Sequence, residues 1–169
     1  TRSGDVDPGV LTYLMEKERL GAPGISRLVN KFSGVLGISG VSSDMREVNA
    51  AIAQGNKRAA LSLDMYNYRI KKYVGAYAAI LGGLDILVFT GGVGENQAIT
   101  RSEVCKNMEF LGIELDEEKN ASVRGIECEI SKPESKVKVV IIPTDEELTI
   151  AQDTLEIVSK NLSNKVATE

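Results

Sequence analysis

Apolar side chains recur at three- and four-residue steps from Asn56 to Ile80 and just beyond: Leu63, Tyr66, Ile70, Tyr73, Val74, Tyr77 and Leu81. Lys57, Arg58, Arg69, Lys71 and Lys72 occupy much of the other side. That period predicts an amphipathic helix, the strongest in the sequence, ended by Gly82-Gly83. Upstream, Val10, Leu11, Leu14 and Met15 predict a helix over Gly9–Arg19, with Asp7 as N-cap and Pro8 in its first turn. Gly21-Ala22-Pro23-Gly24 breaks it, and a short helix near Ser26–Asn30 follows. Lys31–Ser43, punctuated by Gly34, Gly37 and Gly40, reads as an irregular ligand-facing or connecting loop. Asp44 caps a further short helix to about Ala53, stopped by Gly55-Asn56.

In the second half the pattern changes. An apolar run over 85–90 reads as a strand buried on both faces, and Thr100-x-x-Glu103 reads as a capping box for a helix ending at Gly112. Glu114–Asn120 is acidic and turn-like. Arg124–Ser131 and Lys136–Ile142 read as hairpin-like strands, the second rich in β-branched residues. Thr144-x-x-Glu147 is a second capping box. It opens a last helix with Leu148, Ala151, Leu155, Val158 and Leu162 on one face; the tail from 162 to 169 is expected to fray. The order is that of an α/β fold. Two buried strands among several helices make a thin sheet with open edges, which implies that part of the sheet lies outside this chain.

The junction between the first strand and the glycine-rich residues after it carries the candidate chemistry. Leu84-Asp85-Ile86-Leu87-Val88-Phe89 runs into Thr90-Gly91-Gly92-Val93-Gly94-Glu95-Asn96. A parallel strand ending in a glycine elbow and a helix start is where α/β folds present backbone N–H groups to a phosphate or nucleotide. The same residues also serve as a tight strand–helix turn without a ligand. Gln97 stands at the third glycine position of a dinucleotide fingerprint, and no Gly-Lys-Ser/Thr ending completes a P-loop.

Composition narrows the chemistry. With no histidine among 169 residues, a histidine base and every histidine-ligated metal are excluded; carboxylates, Arg, Lys, main-chain donors and an oxygen-ligated metal such as Mg²⁺ remain. A net charge of −4 with interspersed signs argues against a nucleic-acid partner. No apolar run approaches the ~20 residues of a membrane span, and Thr1–Pro8 has no signal-peptide core. Cys105 and Cys128 fall in different predicted elements and read as reduced thiols of a cytoplasmic protein.

Four landmarks occur in order: Thr1-Arg2-Ser3-Gly4-Asp5-Val6-Asp7-Pro8-Gly9, the run from Lys31 through Ser42-Ser43-Asp44-Met45-Arg46, Val88-Phe89-Thr90-Gly91-Gly92-Val93-Gly94-Glu95-Asn96, and Ile142-Pro143-Thr144-Asp145-Glu146-Glu147. In this order and spacing the chain resembles the C-terminal part of the acetate kinase family, within the acetate and sugar kinase, Hsc70 and actin superfamily. The resemblance implies an incomplete ribonuclease-H-like (actin-like ATPase) lobe with a partial mixed sheet flanked by helices. It implies ATP-dependent phosphorylation of acetate to acetyl phosphate with ATP/ADP and Mg²⁺, and a homodimer. Propionate and butyrate kinases share these landmarks.

By the same resemblance, Arg2 matches the family's catalytic, transition-state-stabilising arginine. Asp44, Met45 and Arg46 match an adenosine-contacting segment, with Met45 where many relatives carry an aromatic. Gly92, Val93, Gly94, Glu95 and Asn96 match the second nucleotide loop, and Glu146 matches the Mg²⁺-associated glutamate. From residues alone, Asp44 reads rather as an N-cap and Arg2 and Arg46 as solvated charges, while Glu146 is equally a charge favouring a helix N-terminus. The family's remaining phosphate- and substrate-contacting groups, a catalytic histidine among them, belong to a missing N-terminal lobe. The isolated segment is therefore expected to be inactive.

Overall fold

The computed structural model describes the backbone from residue 1 to 166 and side chains through 159. The chain forms two compact units. The first comprises Thr1–Leu84 with Glu103–Lys106, and the second comprises Asp85–Ser102 with the chain from Asn107 onward.

The first unit is helical: α1 (Pro8–Lys17), α2 (Ala22–Lys31), α3 (Gly34–Ser39), α4 (Met45–Ala53) and α5 (Lys57–Leu81). The caps read from the sequence form. Asp7 accepts from the Gly9 N–H at 2.7 Å, Asp44 from the Arg46 N–H, and Asn56 from the Arg58 and Ala59 N–H groups. Gly82 ends α5 in the left-handed region at φ 76°. α3 and α4 pack on α5, burying Met45, Val48, Ala59 and Leu63. The apolar stripe of α5 is buried only in part, for Tyr77 and Leu81 at its C-terminal end stand exposed.

Two readings are corrected here. Lys31–Ser43 is not wholly irregular, because Gly34–Ser39 is helical despite its glycines. Arg58 supplies what local propensity lacks: its guanidinium donates to the Ile38 and Gly37 carbonyls near the end of α3. Gly21-Ala22-Pro23-Gly24 does stand between two helices, but the second starts earlier than read: Gly21 is the N-cap of α2 and Pro23 lies in its first turn, where its missing N–H costs nothing.

The second unit holds the sheet: β1 (Ile86–Phe89), β2 (Cys128–Glu129) and β3 (Lys138–Ile141), in the order β1-β3-β2. β1 and β3 are parallel, with Ile86 opposite Lys138 and Phe89 opposite Ile141; β2 and β3 are antiparallel. Val137, Val139 and Ile141 are buried, so the β-branched run makes the central strand, each such side chain contributing roughly 1.5–3 kcal/mol by burial. The expected mixed sheet flanked by helices is present. β1, however, is not buried on both faces: Ile86 is 53% and Val88 45% exposed, and β3 is its only strand neighbour among the described residues. The strand read over Arg124–Ser131 shrinks to two residues plus a bridge between Ser131 and Leu115.

Helices α6 (Gly91–Asn96), α8 (Glu117–Ser122), α9 (Glu146–Val166) and the first five residues of α7 (Ala98–Cys105) complete the unit, with a 3₁₀ turn at Glu109–Leu111. The acidic stretch Glu114–Asn120 is partly helical, since Asp116 caps α8 by accepting from the Lys119 N–H. Neither Thr-x-x-Glu box forms. Thr100 is buried within α7 and bonds Gln97, α7 stops at Cys105, and at the start of α9 the accepting side chain is Asp145, which takes the Leu148 N–H. Both cysteines are free thiols. No described helix is long and apolar enough to cross a membrane. Leu148, Leu155 and Val158 of α9 are exposed; the reading of Leu162 and of a frayed tail over 162–169 falls outside the residues whose side chains are described.

Candidate functional site

In the first unit, exposed Arg2 sits on an irregular segment pinned at two points. The Ser33 N–H donates to the Thr1 carbonyl at 2.9 Å and the Ser3 N–H to the Val29 carbonyl at 2.8 Å. Gly34 makes this approach possible, because a Cβ there would lie 2.4 Å from the Arg2 carbonyl oxygen. Further along, Asp5 pairs with Arg69 and accepts from the Tyr73 hydroxyl at 2.9 Å. A cavity of about 460 Å³ opens beside Arg2, walled by Val35, Ile38, Met65 and Tyr66. Burial pushes the Tyr66 hydroxyl pKa up, so it stays protonated. Arg69, Tyr73 and the role of Gly34 were not read from the sequence. Arg69 and Tyr73 fell inside a helix pattern, where they registered only as charge and apolar surface.

Asp44, Met45 and Arg46 lie at the start of α4. The Asp44 carboxylate accepts from the Arg46 N–H at 2.8 Å and is paired with the Arg46 guanidinium at 2.6 Å. Those bonds hold the Asp44 pKa down at about 2. Arg46 is 90% exposed, whereas the Met45 side chain is buried under the helix. The segment thus presents a carboxylate and a planar cation to solvent, with Met45 between them buried.

In the second unit the glycine elbow is itself helical. α6 begins at Gly91, immediately after β1, so the glycines form the helix instead of preceding it as expected. Its two sides differ. Cβ atoms placed on Gly91 or Gly92 would meet nothing within 4 Å, whereas one on Gly94 would come to 3.2 Å from the Phe89 backbone. Gly94 therefore serves close packing of the elbow on β1, and Gly91 and Gly92 border open space. Asn96 donates to the Gly92 carbonyl at 3.0 Å, bracing the turn from within.

Glu95 links this elbow to the loop after β3. Its Oε1 accepts from the Thr144 N–H at 2.9 Å and from the Thr144 hydroxyl at 3.0 Å. Its pKa is lowered, first by the Thr144 N–H; desolvation, the next-largest effect, opposes this, and the Thr144 hydroxyl and the Gly91 N–H add to the lowering. Two residues on, Glu146 opens α9 beside a shallow depression lined by Thr144, Asp145, Thr149 and Ile150. Among the described residues no group of three Asp, Glu, His or Cys side chains is close enough to hold a metal by itself. This is compatible with Mg²⁺, which commonly takes one or two carboxylates and fills the rest of its octahedron with water and phosphate. Glu95 thus ties Gly92–Asn96 to the segment that carries Glu146 within one unit, while Arg2 and Asp44–Arg46 belong to the other.

Arg101 is the feature that sequence reasoning missed altogether. It is fully buried. Its Nε donates to Asn120 Oδ1 at 2.6 Å, Nη1 to the Gly94 and Glu95 carbonyls, and Nη2 to the Asn120 and Val123 carbonyls. Its place on the inward face of α7, between Gln97 and Val104, was the available signal.

The model of the acetokinase family matches residues 1–152. A relative from Porphyromonas gingivalis described as acetate kinase is 68% identical over 157 residues, covering 93% of this chain and 39% of that protein. The crystal structure of Porphyromonas gingivalis acetate kinase superposes with a TM-score of 0.88 at 66% identity, covering 94% of this chain and 40% of that one. A propionate kinase from Francisella tularensis superposes with a TM-score of 0.80 at 38% identity, covering 90% of this chain and 38% of that one. The chain spans about two-fifths of the length of the curated relatives it matches.

Proposed function

The chain belongs to the acetokinase family, and from that premise we propose that it is the nucleotide-holding part of a kinase that interconverts ATP plus acetate with ADP plus acetyl phosphate. An acetate oxygen attacks the γ-phosphorus while its bond to the ADP oxygen breaks, and charge spreads over three equatorial oxygens. Arg2 offsets that charge with its guanidinium. Asp44 accepts from the ribose hydroxyls, Arg46 lies against the purine, and Met45 contributes only main chain. Gly92–Asn96 form a second nucleotide-contacting loop. Glu146 holds Mg²⁺, which supplies charge neutralisation at the phosphates when bound.

The observation that carries this reading is the elbow. Its open Gly91–Gly92 side leaves room for a ligand, and Glu95 ties it to the segment bearing Glu146. The groups proposed to finish the transfer lie in the rest of a longer protein, so the 169-residue chain alone is expected to make no acetyl phosphate. A family propensity for homodimers extends to that longer protein.

The test is steady-state kinetics on the intact protein with acetate, propionate and butyrate as competing acceptors. Arg2→Ala should lower kcat about 10²–10³-fold, in line with loss of one transition-state donor. The likeness to a propionate kinase makes propionate the second reading, favoured if its kcat/KM exceeds that of acetate. Nucleotide binding with no turnover of any acid would leave a binding module.

A further inference from the structure

The glycine elbow is short, rich in glycine and open on one side, and such a backbone has many conformations to lose when a ligand binds. Yet its other side is fixed by one buried cation. Arg101 spreads five bonds over the carbonyls of Gly94, Glu95, Asn120 and Val123 and the Asn120 side chain. Asn120 is buried as well, and is oriented in turn by donating to the Ala98 carbonyl at 3.1 Å and to Ser102 Oγ at 3.0 Å; Ser102 donates onward to Glu117. The Gly125 N–H reinforces the hold by donating to the Glu95 carbonyl at 3.2 Å.

We propose that Arg101 is a positioning residue for the nucleotide-facing elbow: from inside α7 it pulls the Gly94 and Glu95 carbonyls inward, locks them to the C-terminal end of α8, and so keeps the Gly91–Gly92 side preformed for the nucleotide. This rests on the reading of the elbow as a nucleotide loop. The rigid planar fork matters as much as the charge. Two carbonyls share Nη1, two share Nη2 and Nε takes the amide oxygen, a pattern the single ammonium of lysine does not reproduce. Fully buried, Arg101 acts through the backbone it holds, and preorganisation of this kind shows in nucleotide affinity.

The experiment is Arg101→Lys in the intact protein that carries this chain, read by peptide-resolved hydrogen exchange and by kinetics. Exchange at 92–97 and 120–123 should rise at least tenfold, with 139–141 in β3 within twofold of wild type. The KM for ATP should rise at least fivefold, with the KM for the carboxylate within twofold. Uniformly faster exchange across the sheet, unchanged exchange at the elbow, or an elbow loosened with no change in the KM for ATP would overturn the proposal. Should the lysine variant not fold, Asn120→Ser withdraws one acceptor and leaves the four carbonyl bonds. It should give the same local pattern at about threefold, and no change at the elbow would likewise overturn it. If the wild-type protein turns over no ATP, the functional reading fails, whereas the exchange pattern still decides whether Arg101 holds the elbow.

Discussion

The second unit contains two regions built on opposite terms. Around Arg101 the chain has buried a cation and a carboxamide and supplied them with hydrogen-bond partners from α6, α7 and the α8 turn. Along the open edge of β1 and on α9 it has done the reverse: Ile86, Val88, Leu148, Ile150, Leu155 and Ile157 are apolar and exposed. Polar burial is tolerated only where hydrogen bonding is satisfied, and around Arg101 that condition is met by the chain's own groups. Apolar burial needs another surface, and among the described residues none covers these side chains. The elbow is therefore a finished device on a scaffold whose hydrophobic faces are unfinished, which agrees with a chain matching two-fifths of its relatives' length.

The comparison is broken most severely from its polar side. Arg101→Met leaves several inward carbonyls and Asn120 Oδ1 without their donor and should cost about 3–5 kcal/mol, the range for stripping one partner from a buried charged network. Urea unfolding checks this, and a loss under about 1 kcal/mol would mean that the network contributes little. From the apolar side the expected effect is on association. Leu155→Lys with Ile157→Lys should shift the isolated chain toward smaller species in sedimentation velocity while leaving its melting temperature within a few degrees. A large drop in melting temperature would show that α9 packs on its own chain.

The smallest effects are electrostatic and lie at two half-buried carboxylates. Asp44 has its pKa lowered to about 2 from 3.8 by Arg46, and Glu95 is lowered chiefly by Thr144. A depressed folded-state pKa gives a contribution present above the unfolded value and lost as pH falls through the folded one. The Asp44–Arg46 pair should thus persist at neutral pH and open only between about pH 4 and 2. NMR titration of the carboxyl carbons checks it: Arg46→Ala should return Asp44 toward 3.8 and leave Glu95 unmoved. Movement of Glu95 with Arg46→Ala would contradict the assignment of its shift to Thr144.

Much of the architecture was legible because its signals are local. Asp7, Asp44 and Asn56 cap the helices they announce, Gly82 ends α5, and the β-branched run at 137–142 makes the central strand. What escaped depends on contacts distant in sequence. α3 is helical through Arg58, about twenty residues away, and against the propensity of its own glycines. The Thr100 box looked correct in spacing, but Thr100 is buried inside α7 and Gln97 takes its hydroxyl. Arg101 has only its helical spacing to Val104 to mark it in the sequence and otherwise reads as surface charge, since burial of arginine is rare without a partner set that only the fold assembles. The site divides the same way: Gly92, Gly94 and Glu95 stand out by glycine spacing, while the bond from Glu95 to Thr144 spans forty-nine residues.

The central claim is that the elbow presents its Gly91–Gly92 side to a nucleotide while being fixed from behind. Calorimetric titration of the intact protein with Mg–ATP, wild type against Gly92→Val, tests it most directly. A Cβ at Gly92 meets no protein atom within 4 Å, so the account expects unchanged thermal stability and affinity at least tenfold weaker. Equal affinity in the two proteins would contradict it.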